Sequence, residues 1–305
     1  MWTRRQTLRA LAAASLSAAL RPSFAQAQPR ALLTRPVPST GESLPAVGLG
    51  SWITFNVGDD PVARDACTEV MRNFVEAGGR MIDSSPMYGS SQDTIGYALR
   101  KAALTGRVFA ADKVWISSAA EGREQIERSR RKWQVSRFDL LEVHNLLDWQ
   151  EHLPTLFAMK AVGQLRYVGV TTSEGRRHRD LEQIMRSQPL DFVQVTYNPV
   201  DREVEERILP LARDRGIAVI VNRPFRQGAL LRALARQPLP LWSADIDCTS
   251  WAQFVLKFIV SHPVVTCAIP ATTSVAHVRE NMNAASGRMP DTAMRQRMIA
   301  AVERG

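Results

Sequence analysis

The chain is poor in cysteine and lysine and has no long apolar run. It holds only three cysteines in 305 residues, Cys67, Cys248 and Cys267. Three cannot all pair, and there is no Cys-x-x-Cys and no cluster at metal-ligand spacing. Neither a disulfide framework nor a metal is therefore expected to hold the fold, and buried free thiols are the expected state. No stretch reaches the ~18–20 apolar residues of a spanning helix, so no membrane span is expected. Of the 39 Lys and Arg residues, 34 are Arg, and they scatter along the chain. A nucleic-acid surface wants clustered basic residues with aromatics between them. The densest run, Arg176-Arg177-His178-Arg179, is short, and no nucleic-acid partner is expected. With 45% apolar and 23% charged residues the composition is that of a globular chain, which excludes a disordered, collagenous or coiled-coil protein.

The first 27 residues read as an address. Arg4 and Arg5 sit in a basic segment, residues 10–20 form an apolar run too short to span a bilayer, and Ala25-Gln26-Ala27 is a small-x-small cleavage pattern. This is the three-part export signal, and the arginine pair favours the twin-arginine route. The expectation is a signal peptide over 1–27, cleaved near Ala27, delivery by the export machinery, and a periplasmic or otherwise exported protein. Removing the segment's four arginines, with no acid beside them, takes the formal net charge from +9 to +5.

A Pro-rich lead over 28–45 precedes a repeated unit. Strand-like runs at 46–49, 81–84, 108–113, 140–144, 167–171, 192–197, 218–222 and 264–269 alternate with helix-like runs. The latter cover 63–77, 91–101, 122–134, 152–162, 179–186, 204–215, 251–260 and 275–285. Alternation of this kind predicts parallel βαβ units, and near-continuous apolar strands predict a sheet buried on both faces. Eight of each over 46–305 is the count of a single-domain α/β fold, the closed (β/α)8 TIM barrel. A doubly wound sheet is the alternative, but Gly48-Leu49-Gly50 does not continue into the glycine register that such a nucleotide fold requires.

In a barrel the chemistry sits where strands end. Asp83 ends the second strand-like run and Tyr88 follows it; Lys113 ends the third and His144 the fourth. Taken singly these residues could be a helix cap, a packed ring, a solvated lysine and a core histidine. Together, on three consecutive strands, they point at one mouth. A lysine cation beside a phenol favours the phenolate and is expected to lower its pKa from ~10. A carboxylate holds the lysine, and a neutral histidine orients a carbonyl oxygen. The set suits protonation of a carbonyl while hydride arrives at its carbon, and only a cofactor can supply hydride.

The segments Gly48-Leu49-Gly50-Ser51-Trp52, Ile82-Asp83-Ser84-Ser85-Pro86-Met87-Tyr88-Gly89, Asp112-Lys113, Val143-His144-Asn145, Gly163 to Val170, and Ala268 to Thr273 followed by Glu280-Asn281 occur in this order. With that spacing the chain resembles the aldo-keto reductases over essentially its whole length after residue 27. The resemblance implies a (β/α)8 barrel that binds NADP(H), in preference to NAD(H), in extended form. It implies Tyr88 as acid–base, Lys113 as the modulator of its pKa, Asp83 as the lysine's partner, His144 as carbonyl orienter and Trp52 in the substrate pocket. It implies a cofactor set of Gly50, Ser51, Trp52, Asp83, Thr171, Thr172, Gln194, Asn222, Arg223, Pro224, Phe225, Thr272, Arg279, Glu280 and Asn281, with Gln194 on the nicotinamide amide. Three places depart from the family pattern. Thr171-Thr172 stands where Ser-Asn is usual, and Asn222 stands where a stacking aromatic is frequent. Ala271 and His277, with Arg279 nearby, stand where Lys or Arg commonly meets the 2′-phosphate.

The implied activity is reduction of an aldehyde or ketone to an alcohol, or the reverse, with a small carbonyl or alcohol as substrate. The alternative is a nicotinamide-binding redox-sensing or accessory subunit with negligible turnover. A barrel kept only for partner binding fits poorly with an intact Asp83, Tyr88, Lys113 and His144.

Overall fold

A computed structural model describes residues 31–304, which lie in one compact unit. The leader read over 1–27 lies outside the described residues. Among the described residues ten strands and ten α-helices follow one another. The first two strands, β1 (Thr34–Pro36) and β2 (Ser43–Pro45), form an antiparallel hairpin. The eight others are β3 (Leu49–Gly50), β4 (Met81–Asp83), β5 (Phe109–Val114), β6 (Phe138–Val143), β7 (Leu165–Thr171), β8 (Phe192–Thr196), β9 (Ala218–Asn222) and β10 (Val265–Ala268). Each pairs in parallel with the next in sequence. Parallel bridges from Val47 to Ala268 and from Gly50 to Ala271 join the last strand to the first, so the sheet closes. Gly50 permits that closure, because a Cβ there would lie 2.8 Å from the Ile269 carbonyl oxygen.

The helices α1 (Pro61–Glu76), α2 (Ser91–Lys101), α3 (Ala119–Trp133), α4 (Trp149–Ala161), α5 (His178–Ser187), α6 (Ile208–Arg215), α8 (Trp251–Val260) and α9 (Val275–Asn283) form the outer ring. Local chemistry starts several of them. Asp60 accepts from the Val62 and Ala63 amides ahead of Pro61, and Ser250 and Ser274 cap α8 and α9. Two further helices were not expected from sequence, α7 (Ala229–Leu234) in the long connection after β9 and the C-terminal α10 (Thr292–Glu303).

The expected (β/α)8 barrel is thus present, with one addition. The Pro-rich segment, read as a lead ahead of the barrel, supplies the β1–β2 hairpin across its N-terminal end. Val37 and Leu44 of that hairpin join Met81, Phe109, Leu140, Tyr167, Phe192 and Ile220 in the barrel's own apolar core. Gly41, at φ +76°, makes the turn. A larger apolar layer lies between strands and helices, and the three cysteines are buried and free.

Candidate active site

Strand side chains alternate between faces. Along β4, β5, β6 and β8 the inward positions run Met81 then Asp83, Ala111 then Lys113, Leu140 then Glu142, Phe192 then Gln194. The apolar core therefore gives way to a polar layer at the C-terminal end. Lys113 is fully buried, and its Nζ donates to Asp83 Oδ1 (2.7 Å), Asp83 Oδ2 (2.6 Å) and the Ser84 carbonyl oxygen (2.8 Å). Gln194 Nε2 donates to Asp83 Oδ2 and to Glu142 Oε2, both at 3.0 Å.

Above this layer opens a cavity of about 740 Å3. Tyr88 and His144 line it, their rings edge to face at 5.7 Å, and Lys113 Nζ lies 5.6 Å from the Tyr88 ring centroid. The Tyr88 hydroxyl makes no hydrogen bond to any described residue. His144 Nδ1 is paired with Ser85 Oγ at 2.8 Å. Burial, reinforced by the Lys113 cation, holds the His144 pKa well below 6.5, so the ring is neutral. For Lys113 burial works against the charge, but Asp83 and its neighbours outweigh it and the ammonium is secured.

The expected lowering of the Tyr88 pKa is not what the surroundings produce. Burial is the largest influence, and with Asp83, Glu142 and Asp112 nearby it overcomes the Lys113 cation, so the phenol is pushed up to about 12. Lys113 limits the rise rather than producing a fall. At neutral pH Tyr88 is a protonated, half-buried acid facing the cavity.

The other anticipated residues also border the cavity. Gly50, Ser51, Trp52, Thr171, Thr172, Gln194, Asn222, Arg223, Pro224, Phe225, Thr272, Glu280 and Asn281 all line it. Arg279 does not. It reaches back across α1 to Asn73 Oδ1 at 2.8 Å, while His277, Glu280 and Asn281 of the same helix face the cavity. Asn222 is a cross-strand tie, donating to the Thr172 carbonyl oxygen (2.9 Å) and accepting from Thr196 (2.7 Å). Phe225 packs against the outer core.

Sequence reading missed Glu142, Ser85, Arg176 and Arg177. Period-two alternation from His144 would have found Glu142. The two arginines line the cavity mouth beside Glu174, which also pairs with Arg223 at 2.9 Å. Glu142 is fully buried, and its pKa is raised well above 4.5 by burial despite Lys113.

The residues fit a nicotinamide dinucleotide. Thr172 Oγ1 is buried in the cavity wall without a partner among the described residues, an unmet hydroxyl of the kind a carboxamide would satisfy. Thr272 lines the cavity with its hydroxyl accepting from the Ser274 amide (3.0 Å) and meeting His277 Nδ1 (3.3 Å), which sets this wall against the N-terminus of α9, the end of a helix that favours an anion.

The chain matches the Aldo/keto reductase family over residues 46–299. It is 28% identical to methylglyoxal reductase YeaE of Escherichia coli (strain K12), covering 78% of this chain and 84% of that one. With the NADH-specific methylglyoxal reductase of the same organism it shares 25% identity, over 88% and 99% of the two chains. Among solved structures, an aldo/keto reductase from Klebsiella pneumoniae in complex with NADP and acetate superposes with a TM-score of 0.73 at 25% identity, covering 85% of this chain and 91% of the other. Barrel and site together define an oxidoreductase that interconverts carbonyl and alcohol. The chain belongs to the aldo/keto reductase family.

Proposed function

We propose that this protein is an exported reductase of small reactive carbonyl compounds, with NADPH preferred to NADH. The observation that carries the catalytic reading is the Tyr88 hydroxyl, without a partner among the described residues and open to a cavity whose floor is the Asp83–Lys113 pair; its surroundings keep it protonated. Reduced nicotinamide, when bound, supplies hydride to the carbonyl carbon. The carbonyl oxygen takes its proton from Tyr88, and the resulting phenolate is stabilised by the Lys113 cation until solvent returns the proton. Asp83 fixes the lysine, and neutral His144 donates to the same oxygen. Thr171, Thr172 and Asn222 would hold the nicotinamide ring, and Thr272 and His277 would meet the adenosine end.

The substrate class rests on the rim and on the relatives. Trp52, Ile53 and Met87 give one side of the cavity an exposed apolar edge, and Arg176, Arg177 and Arg223 give the other a basic one. Two relatives are methylglyoxal reductases, which favours a small 2-oxoaldehyde. A structural relative holds NADP, whereas one sequence relative is NADH-specific. With Ala271 offering no donor and Arg279 turned away, the NADPH preference is expected to be modest, about ten-fold, or ~1.4 kcal/mol. A panel of aldehydes and ketones with both cofactors tests this reading. No turnover with either cofactor would sink it. Ala271→Lys should tighten NADPH and leave NADH unchanged; equal effects would show that residue 271 does not meet the 2′ position.

The exported location is supported by the sequence of residues 1–27 alone. Arg4→Lys with Arg5→Lys keeps the charge but alters the arginine pair. Uncleaved precursor should then accumulate in the cytoplasm, and normal export would point to the general secretory route instead.

A further inference from the structure

His144 can serve a carbonyl oxygen only in one tautomer. Neutral imidazole has one N–H and one bare nitrogen, and the partner of one nitrogen decides which is which. In this protein Nδ1 meets Ser85 Oγ at 2.8 Å, and both side chains are buried. Nε2 makes no hydrogen bond to a described residue, and the ring lines the cavity. The direction of the Ser85 contact therefore sets what the cavity sees.

Ser85 Oγ also accepts a hydrogen bond from the Met87 amide at 3.3 Å. His144 Nδ1 is the one acceptor in reach of its hydroxyl hydrogen among the described residues. If Ser85 donates to Nδ1, every group is satisfied and Nε2 carries the proton. With the reverse direction, Ser85 Oγ would accept twice, its own hydrogen would be buried without a partner, and Nε2 would present a lone pair to an incoming carbonyl lone pair. Leaving a buried donor unpaired is the costly alternative.

We propose that Ser85 is a positioning residue whose hydroxyl donates to His144 Nδ1 and so holds the imidazole with its proton on Nε2, facing the cavity. This deepens the carbonyl-reductase reading and rests on it for the role of His144. Ser85 touches neither substrate nor cofactor; it acts through the ring.

The test is nitrogen NMR on histidine-labelled protein, which holds five histidines, with His144 assigned by its loss in a His144→Asn variant. The wild-type spectrum should show Nδ1 bare and Nε2 protonated across neutral pH. Ser85→Ala should give mixed tautomers and a kcat about ten-fold lower, the worth of roughly one hydrogen bond, with cofactor affinity unchanged. Ser85→Thr should restore both. A wild-type Nδ1 proton would overturn the proposal even if no Ser85 variant folds, and so would a Ser85→Ala protein with an unchanged tautomer. The spectrum needs no turnover, so an enzyme inactive on every carbonyl would sink the functional reading while leaving the tautomer assignment standing.

Discussion

The two ends of the barrel use the same side-chain types to opposite effect. At the N-terminal end Glu42 meets Arg80 (3.2 Å), Arg166 (2.5 Å) and the Tyr167 hydroxyl (2.8 Å), which also bonds Thr40 (2.7 Å). Two arginines face two carboxylates there, Arg166 also meeting Asp139 at 2.7 Å, and the phenol is tied at both donor and acceptor. Burial works against the Glu42 charge, but Tyr167, Arg166 and Arg80 outweigh it, and its carboxyl stays below the usual 4.5. At the C-terminal end one ammonium serves Asp83 and lies near Glu142 and Asp112. Burial is the leading influence on both latter groups, raising Asp112 to about 7 and Glu142 well above 4.5. The Tyr88 phenol there has no partner among the described residues. A satisfied cluster fixes the hairpin onto the barrel, while an unbalanced one leaves a proton donor exposed to the cavity.

The largest effect should come from Tyr88→Phe. Only the untied hydroxyl is lost, so kcat should fall ~10²–10⁴-fold, the usual worth of general acid–base catalysis. Cofactor affinity and unfolding midpoint should hold. Near-normal kcat would remove Tyr88 from the mechanism and with it the contrast between the two ends.

Lys113→Met should strike both stability and rate. It leaves the buried Asp83 carboxylate without its cation, a loss of about 3–5 kcal/mol. In whatever fraction folds, Tyr88 loses the one influence that holds its pKa down. The phenol becomes a weaker acid, and the limb of the pH–rate profile that reports it should move to higher pH. A profile unchanged in position would show that Lys113 only supports the fold.

How much of this was legible in sequence follows the same division. Strand periodicity placed the barrel, and strand-end residues pointed to Asp83, Tyr88, Lys113 and His144, which the structure brings together at one end, because parallel strands buried on both faces leave a strong apolar signal. The hairpin was lost because Pro36 and Pro45 read as punctuation, although proline is tolerated on strands as short as these. Arg279 was misplaced by counting along the chain rather than around it. At 3.6 residues per turn His277, Glu280 and Asn281 share a face of α9, and residue 279 lies on another. The Tyr88 pKa went astray because pairwise charge reasoning saw Lys113 but not the burial and the carboxylates, which only the closed barrel assembles.

At the other end, Glu42→Gln should lower stability by roughly 1–3 kcal/mol, the range for losing charge-assisted hydrogen bonds, with kcat per folded molecule unchanged. The sign with pH follows from a depressed folded pKa. The charge's contribution is present above the unfolded value near 4.5 and fades as pH falls through the lower folded value. The gap between wild type and variant should be widest near neutrality and close in acid. A gap that widens in acid would mean the Glu42 charge is a burden there.

The smallest effect, and the sharpest comparison, is Tyr167→Phe set beside Tyr88→Phe. Each removes one phenolic oxygen from the barrel interior. Tyr167 gives its hydrogen to Glu42 and accepts from Thr40, so its loss leaves Glu42 with two arginines and costs one bond to a carboxylate, about 1.5 kcal/mol. The Tyr167 ring still packs on Phe109 and Phe192, at 5.8 and 5.3 Å between centroids, which limits the damage. Unfolding in denaturant should shift by that amount with the slope unchanged, and turnover should match wild type. Tyr88→Phe should do the reverse, losing turnover and keeping the midpoint. If Tyr167→Phe also slowed turnover in the folded fraction, the two ends would be mechanically coupled through the barrel core, and the division between a holding end and a reacting end would fail.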